Sequence, residues 1–351
     1  MIRLTWRQFR IQGAAALAAL AAVAIVLAIT GMRLAHLYDV SGIATCTAPS
    51  NCSALDSSFL SHERLLHNLL GPLLLAVPAL LGIFWGAPLV AREFETGSYR
   101  LAWTQSVTRT RWLAVKVGLI GLVSIAVAGL VSLMITWWSS PLDRVDMNRF
   151  APGAFDERGI VAIGYAAFAF AFGLAAGALI RRTVPAMATT LLAFAGTRLA
   201  MTYWIRPRLI APAHTSAGLD SASNLGFQVD RSSGVTFVAG PPHLPNAWVY
   251  SDRIVDKAGH ATTNQFLHAF LRKACPGIAT PPGQAPTGAG PGNQEAFQAC
   301  ITKLSARFHE TLTYQPASRY WTFQLYETAI FLALALVLIG ACFWWVRRRL
   351  T

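Results

Sequence analysis

The chain has 351 residues, of which 54% are hydrophobic and only 13% are charged. Soluble domains carry about 25% charged residues. This deficit, with repeated apolar runs of about 20 residues, excludes an ordinary soluble domain and predicts a protein that crosses the membrane several times. The formal net charge of +13 raises the alternative of nucleic-acid binding. We expect no nucleic-acid partner, because membrane proteins collect Arg and Lys on their cytoplasmic loops and the charges of this chain follow that pattern.

The N-terminal segment, 1–32, begins with arginines interleaved with apolar residues and continues as an apolar run from Gly13 to Met32. A short basic amphipathic segment is typical of the membrane interface. The apolar run is longer than the core of about 7–15 residues that a cleaved signal peptide has. We therefore interpret it as a retained first span, followed by a polar loop at 33–68.

Five further apolar runs predict the remaining spans. Their approximate bounds are Leu69–Val90, Trp112–Trp138, Gly159–Ile180, Thr183–Ile205 and Tyr320–Val346. The second span contains several prolines and glycines, which membrane helices tolerate when neighbouring groups satisfy the freed carbonyls. The chain thus divides after residue 68 into 69–138 (spans two and three), a loop at 139–158, 159–205 (spans four and five), a segment at 206–319, and 320–351 (the last span and a basic tail).

Six spans place both termini on the same side of the membrane, and the charges indicate which side. The two ends of the chain and the segment 91–116 hold many Arg and Lys residues but only two acids, Glu93 and Glu95. Acids and bases nearly cancel in 139–158. The positive-inside rule therefore predicts cytoplasmic termini, and it makes 33–68, 139–158 and 206–319 extracellular.

The segment 206–319 is long enough to form a domain. Ala261–Ala274 and Asn293–Tyr314 are predicted helices, and β-prone pieces at Val235–Val238 and Trp248–Tyr250 precede them. The second helix is predicted from an apolar stripe at helical spacing, formed by Phe297, Ile301, Leu304, Phe308 and Leu312. The predicted fold is an all-α integral membrane protein with six transmembrane helices, both termini cytoplasmic, and a large extracellular α(+β) domain between helices five and six.

Four of the five cysteines fall in the predicted extracellular segments, which face an oxidising compartment. Four cysteines allow three pairings, and pairing of nearest neighbours predicts the disulfides Cys46–Cys52 and Cys275–Cys300. Cys342 lies in the last span, where we expect a small core residue.

Motifs for chemistry are missing from the sequence. It contains no Gly-x-Ser-x-Gly, no Cys-His cluster and no Gly-x-x-x-x-Gly-Lys-Ser/Thr phosphate loop. His62 and His67 are five positions apart, which places them on different faces of a helix, and the other histidines show no ligand spacing. We therefore expect no enzyme, no metal site, and no cofactor bound by this chain through such a loop.

Two features of the spans invite a specific interpretation. Gly173 and Gly177 in span four form a small-xxx-small face, which permits close helix packing within or between chains. Arg198 lies within span five, where a charge usually faces protein or a water-filled path. Arg198 is thus a candidate substrate-path residue, or else it extends outward to the headgroups. Glu327, at the start of span six, is a possible partner for it.

The charged segment between spans two and three carries a family resemblance. Its Ala91-Arg92-Glu93, Glu95, Gly97-Ser98 and Arg100, followed by Thr104-Gln105, Val107, Arg109, Trp112 and Lys116, resemble the corresponding loop in permeases of the type-2 exporter superfamily of ABC transporters, especially actinobacterial members. Ser98 stands where threonine is commoner in that family. The six-span layout, the basic N-terminal segment and the stretch from Tyr314 into the last span are also similar.

This resemblance implies a permease that works as a dimer, with a second copy or a paralogue, and with two separate ABC ATPase subunits that bind ATP and Mg. In that family the loop forms a coupling helix that docks into the ATPase, so the implied coupling segment is 91–111. The alternative is an ordinary positive-inside loop whose arginines only set orientation. The implied coupling residues are Arg92, Glu93, Glu95, Gly97, Ser98, Arg100 and Arg109. Among them, Gly97 permits a sharp reversal of the chain.

We therefore predict the membrane-spanning permease subunit of a bacterial ABC exporter in the plasma membrane, surrounded by lipid. In a second interpretation, the chain is a membrane sensor or immunity protein whose extracellular domain binds a ligand such as an antimicrobial peptide. An ion-gradient carrier is disfavoured because we find no matching inverted halves, and a membrane hydrolase is disfavoured because it would need a catalytic constellation. The transported substrate is not predicted.

Overall fold

The structure is a computed structural model, and it describes residues 2–43, 71–97, 108–145, 148–218, 225–230, 234–239, 244, 246–274 and 294–349. The chain forms two compact units. The first combines Met1–Ile210 with Arg319–Thr351, and the second is Ala211–Ser318. We call the first the membrane unit and the second the inserted domain.

Six helices of the membrane unit are long and apolar enough to cross a membrane. In chain order they are α1 (Ile2–Val40), α2 (Gly71–Thr96), α3 (Arg109–Trp138), α6 (Val161–Ile180), α7 (Thr183–Leu209) and α10 (Tyr320–Arg349). Two short helices, α4 (Ser140–Arg144) and α5 (Pro152–Glu157), lie between α3 and α6. The six predicted spans are thus confirmed within the described residues.

Two helices extend further than the sequence predicts. Helix α1 continues past Met32 to Val40, into the predicted 33–68 loop, because no glycine or proline interrupts that stretch. Gly42, with φ of 73°, follows its end. Helix α2 continues past Val90 to Thr96, so the predicted coupling segment 91–111 begins as helix.

Helix α6 lies at the centre of the membrane unit. It packs against α2, α3, α7 and α10, and it is buried over most of its length. A helix that is apolar on all sides is stable only when neighbours surround it. Helix α1 is the opposite case, since it contacts mainly α3 and leaves most of its surface exposed.

The small residues of α6 bring it into backbone contact with α2. A Cβ atom added at Gly173 would lie 2.5 Å from the carbonyl oxygen of Gly82, and one at Gly177 would lie 2.4 Å from that of Ala87. Residues Gly82–Gly86 of α2 form a π turn at this crossing. The predicted small-xxx-small face therefore packs within the chain, against α2.

Replacing Gly173 with leucine is expected to force α2 and α6 apart and to destabilise the membrane unit by about 1–3 kcal/mol, the usual cost of overpacking. Thermal unfolding of the purified chain in nanodiscs measures the loss. Gly118→Leu in α3 is the matched control, because nothing lies within 4 Å of a Cβ added there. Equal losses in the two variants would contradict the close α2–α6 contact.

The inserted domain contains two antiparallel sheets and two helices within its described residues. Its strands are β1 (Ala213–Gly218), β2 (Leu225–Asp230), β3 (Gly234–Ala239), β4 (Trp248–Asp256) and β5 (Phe308–Gln315), and its helices are α8 (Asn264–Ala274) and α9 (Gln294–Ser305). One sheet has the order β1-β5-β4, and β2 pairs with β3 as a hairpin. The β-prone pieces predicted from sequence lie in β3 and β4.

The predicted helix Asn293–Tyr314 is wrong in its second half. Helix α9 ends at Ser305, and Phe308 and Leu312 lie on β5. Both side chains are buried, as is Glu310 between them, so burial alternates with a period of two. A spacing of four residues satisfies both the strand period and the helix period, which explains why the apolar stripe alone did not separate the two.

Candidate functional site

Helix α2 ends in a group of contacts with α3 and α7. We call Arg92, Glu93, Glu95 and Gly97, with their partners Lys116 and Thr183, the helix-end cluster. Gly97 takes φ of 71° at the C-cap of α2, a left-handed conformation that glycine adopts without steric cost. The sharp turn predicted at Gly97 is therefore present where the helix stops.

Glu93 forms an ion pair with Lys116 of α3. Lys116 is only 5% exposed, and its ammonium group also lies 4.8 Å from the ring centroid of Trp112. A buried charge is tolerated only when it is paired, so this contact ties the end of α2 to α3. The sequence placed Lys116 in the basic segment but did not indicate that it is buried against Glu93.

Glu95 ties the same helix end to α7. Its carboxylate accepts hydrogen bonds from the backbone N–H of Thr183, at 3.3 Å, and from the hydroxyl of Thr183, at 2.5 Å. Thr183 is the first residue of α7. A carboxylate at this position satisfies a free amide and interacts favourably with the positive end of the helix dipole.

The remaining predicted coupling residues have different positions. Arg92 is exposed on α2, and Arg109 is the first residue of α3. The hydroxyl of Thr108 caps α3 by accepting from the backbone N–H of Arg111, at 3.4 Å. Ser98 and Arg100 lie outside the described residues.

Exposed arginines surround the helix-end cluster. Arg181 follows α6 and lies 5.7 Å from the ring of Phe94 in α2. Val346 of α10 packs in the same core as Val90 of α2, so the end of α10 is nearby as well. The exposed arginines on these helix ends, which give this end of the membrane unit a basic surface, are Arg92, Arg111, Arg181, Arg182, Arg347 and Arg348.

A second group of charges is buried at the other end of α7. We call Asp156, Tyr165, Arg198, Arg206 and Glu327 the ion network. Arg198 pairs with Asp156 at 2.6 Å, and Arg206 pairs with Glu327 at 2.8 Å and also with Asp156. Tyr165 donates to Asp156 at 3.0 Å and also contacts Glu327. The network thereby joins α5, α6, α7 and α10.

The suggestion that Glu327 pairs with Arg198 is wrong. Glu327 binds Arg206, and Asp156 is the partner of Arg198. No feature of the sequence singled out Asp156, which belongs to the predicted 139–158 loop with its compensating charges. The two arginines and two carboxylates balance, as is expected for charges that are almost fully buried.

A π turn at Met201–Ile205 separates Arg198 from Arg206. At about 100° per residue, two positions eight apart on a regular α-helix lie about 80° from each other around the axis. A π turn accommodates one extra residue, which reduces this offset to about 20°. The irregularity thus allows both arginines to reach Asp156.

The substrate-path role of Arg198 remains a prediction. Its guanidinium lies 3.9 Å from the ring centroid of Tyr165. Its Nε and Nη1 atoms are buried without hydrogen-bond partners, so only part of its donor capacity is used by Asp156.

The cysteine predictions have different outcomes. Cys342 is a free, buried residue of α10, as predicted. Cys300 is buried in α9. Cys46, Cys52 and Cys275 lie outside the described residues, so the two disulfides stay predictions. In the described part of the chain, no three His, Cys, Asp or Glu side chains come together as a metal site.

Comparison with protein families identifies a matching family. A family model described as ABC-2 membrane transporter related matches residues 17–206, which is more than half of the chain and includes most of α1 and all of α2, α3 and α6. No curated protein and no solved structure matches the chain.

Proposed function

Because the chain belongs to the ABC-2 membrane transporter related family, we propose that this multi-pass membrane protein is the permease subunit of a bacterial ABC exporter in the plasma membrane. In this proposal the chain itself is not an enzyme. ATP and Mg bind to a separate ABC ATPase, present in two copies, and a second permease copy or a paralogue completes the transporter. Substrate moves outward.

The helix-end cluster is the observation that carries this proposal. Glu93 and Glu95 connect the end of α2 to α3 and α7 through specific polar contacts. A displacement applied to the segment after Gly97 would therefore move three helices together. The packing of α2 on the central helix α6 offers a route for that displacement into the membrane unit.

The charge of this end supports the same assignment. Exposed arginines such as Arg92 and Arg111 surround the cluster, and guanidinium groups bind carboxylates in well-defined paired geometry. An acidic cleft on an ATPase would match this surface. In the proposed orientation the basic end lies in the cytoplasm, in agreement with the positive-inside rule.

Co-expression with an ABC ATPase encoded in the same operon tests the proposal. We expect a stable complex, and we expect Arg92→Glu to weaken it by at least tenfold because it reverses a charge on the docking surface. Arg208→Glu is the matched control, since Arg208 is a cation at the opposite end of α7. The absence of a complex, or equal binding by the two variants, would refute the docking role.

A groove in the inserted domain favours a second candidate function, the binding of an extracellular ligand by a sensor or immunity protein. The groove has a volume of about 590 Å³ on one face of the β1-β5-β4 sheet. Ser216, Thr311 and Arg253 form one row across the three strands, and His214, Thr313 and Ser251 form the next. Ligand-stimulated ATPase activity without substrate movement in vesicles would favour this function over export.

A further inference from the structure

Glu157, at the end of α5, is a buried acid that the proposed function does not use. It is 7% exposed. Among the described residues, its carboxyl group accepts no hydrogen bond and forms no ion pair. The adjacent Asp156 differs, because it is held by Arg198 and Arg206. Two neighbouring acids with similar burial therefore differ, because only Asp156 forms ion pairs with arginines.

Glu157 lines a small cavity between α2, α3 and α6. The cavity has a volume of about 10 Å³, which is close to the room that one water molecule needs. Its α2 wall is apolar and includes Leu74 and Val77. Ser132 of α3 also lines it, but the hydroxyl of Ser132 already donates to the carbonyl of Gly159, at 2.5 Å. The carboxyl group thus faces little solvent, and no donor among the described residues forms a hydrogen bond with it.

The first turn of α2 lies directly against the carboxyl group. A Cβ atom added at Gly71 would be 2.9 Å from Oε1 of Glu157. The close approach requires the absence of a side chain at position 71. The described start of α2 therefore packs close to this one carboxyl group.

The two cations near Glu157 form ion pairs with other acids, although Nε of Arg158 and two nitrogen atoms of Arg198 have no hydrogen-bond partner. Arg158 pairs with Asp143 at 2.5 Å, and Arg198 pairs with Asp156. The described residues of α2 and α3 that line the cavity include no titratable side chain. Burial, opposed by Arg158 and assisted by Asp156, raises the pKa of Glu157 to about 7.

We propose that Glu157 is a proton-binding site, and that its protonation controls how tightly the start of α2 packs against α5. The neutral carboxyl group fits against Gly71 in the small cavity. The carboxylate requires hydration that the cavity cannot supply, so ionisation loosens the first turn of α2. Because α2 ends at the helix-end cluster, proton binding at one end of this helix would influence the other. The proposal does not rest on the export function.

The sign of the pH dependence follows from linkage. The folded protein binds the Glu157 proton more tightly than the unfolded chain does, so Glu157 contributes stability at acidic pH. This contribution is lost as pH rises from the usual value of 4.5 to about 7. Packing of α2 should thus weaken as pH rises from 4.5 to about 7, and it should change little above pH 7, where the carboxyl group is ionised in both states.

Difference infrared spectroscopy of the full chain in nanodiscs tests the proton site. The wild-type protein should lose a protonated carboxyl band with a midpoint near pH 7. Glu157→Gln should lack this band, and Asp39→Asn, which removes an exposed carboxylate of α1, should retain it. A spectrum that is identical in wild type and Glu157→Gln from pH 5 to 9 would overturn the proposal.

Hydrogen exchange at the amides of Leu73 to Val77 tests the conformational effect. After correction for intrinsic rates, protection in the wild type should fall by at least about tenfold between pH 5 and pH 7 and change little above pH 7, because the packed and loosened states bind different numbers of protons only between the two pKa values of Glu157. Glu157→Gln should remain protected throughout, and Asp39→Asn should follow the wild type. Protection that is independent of pH in all three proteins would overturn the control of α2 packing.

Discussion

Replacing Arg206 with methionine is expected to destabilise the membrane unit by about 3–5 kcal/mol, the range seen when one member of a buried ion pair is removed. Arg206 is 1% exposed and pairs with both Asp156 and Glu327. Its loss would leave Glu327 without a cation and Asp156 with only Arg198. Unfolding of the purified chain in mixed micelles, followed by tryptophan fluorescence, measures the effect.

The double variant Arg206→Met with Glu327→Gln distinguishes the loss of charge balance from the loss of side-chain packing. It removes one positive and one negative charge, and it leaves the Arg198–Asp156 pair intact. We expect it to recover most of the stability that Arg206→Met loses. A double variant as unstable as the single one would show that packing of the Arg206 side chain, and not charge balance, explains the loss.

Replacing Glu93 with alanine is expected to have a similarly large effect, again about 3–5 kcal/mol, because it leaves the buried ammonium group of Lys116 unpaired. Lys116→Met alone is the reciprocal variant. It leaves the carboxylate of Glu93 without Lys116 as its partner, and this carboxylate is more exposed than the ammonium group of Lys116. The double variant Glu93→Ala with Lys116→Met should be more stable than Glu93→Ala alone. The coupling energy comes from comparing all four proteins in the same unfolding assay.

Arg92→Ala is the control that distinguishes stability from docking. Arg92 is exposed on the same turn of α2 as Glu93, and surface substitutions usually change stability by less than about 0.5 kcal/mol. We expect Arg92→Ala to leave unfolding unchanged while it weakens the ATPase complex. Large destabilisation by Arg92→Ala would contradict its position on a free surface.

These two groups of charges differ in how far the sequence predicted them. Charge distribution and the family resemblance indicated the segment that contains Arg92, Glu93, Glu95 and Gly97. They did not indicate that Glu93 and Glu95 are tied to other helices. The arginine in span five was identified from its cost in an apolar environment, but its partner was assigned incorrectly.

The sequence by itself determined the number of spans, the small face of α6 and the turn at Gly97. Each depends on local properties of the chain, namely the length of an apolar run, the absence of side chains, or freedom at positive φ. Hydrophobic transfer and backbone sterics act on neighbouring residues, so they can be read directly from the order of the amino acids. The apolar pattern did not predict the change from helix to strand after Ser305, because a spacing of four residues fits both structures.

Only the tertiary structure decided which charges meet. Asp156 and Arg198 are 42 positions apart, and Arg206 and Glu327 are 121 positions apart. Their contacts depend on how α6, α7 and α10 pack and on the rotation introduced by the π turn at Met201–Ile205. The same packing pairs Asp156 and leaves Glu157 beside it unpaired. Electrostatic energy in a medium of low dielectric depends on distances within the fold, and neighbouring positions in a sequence do not specify those distances.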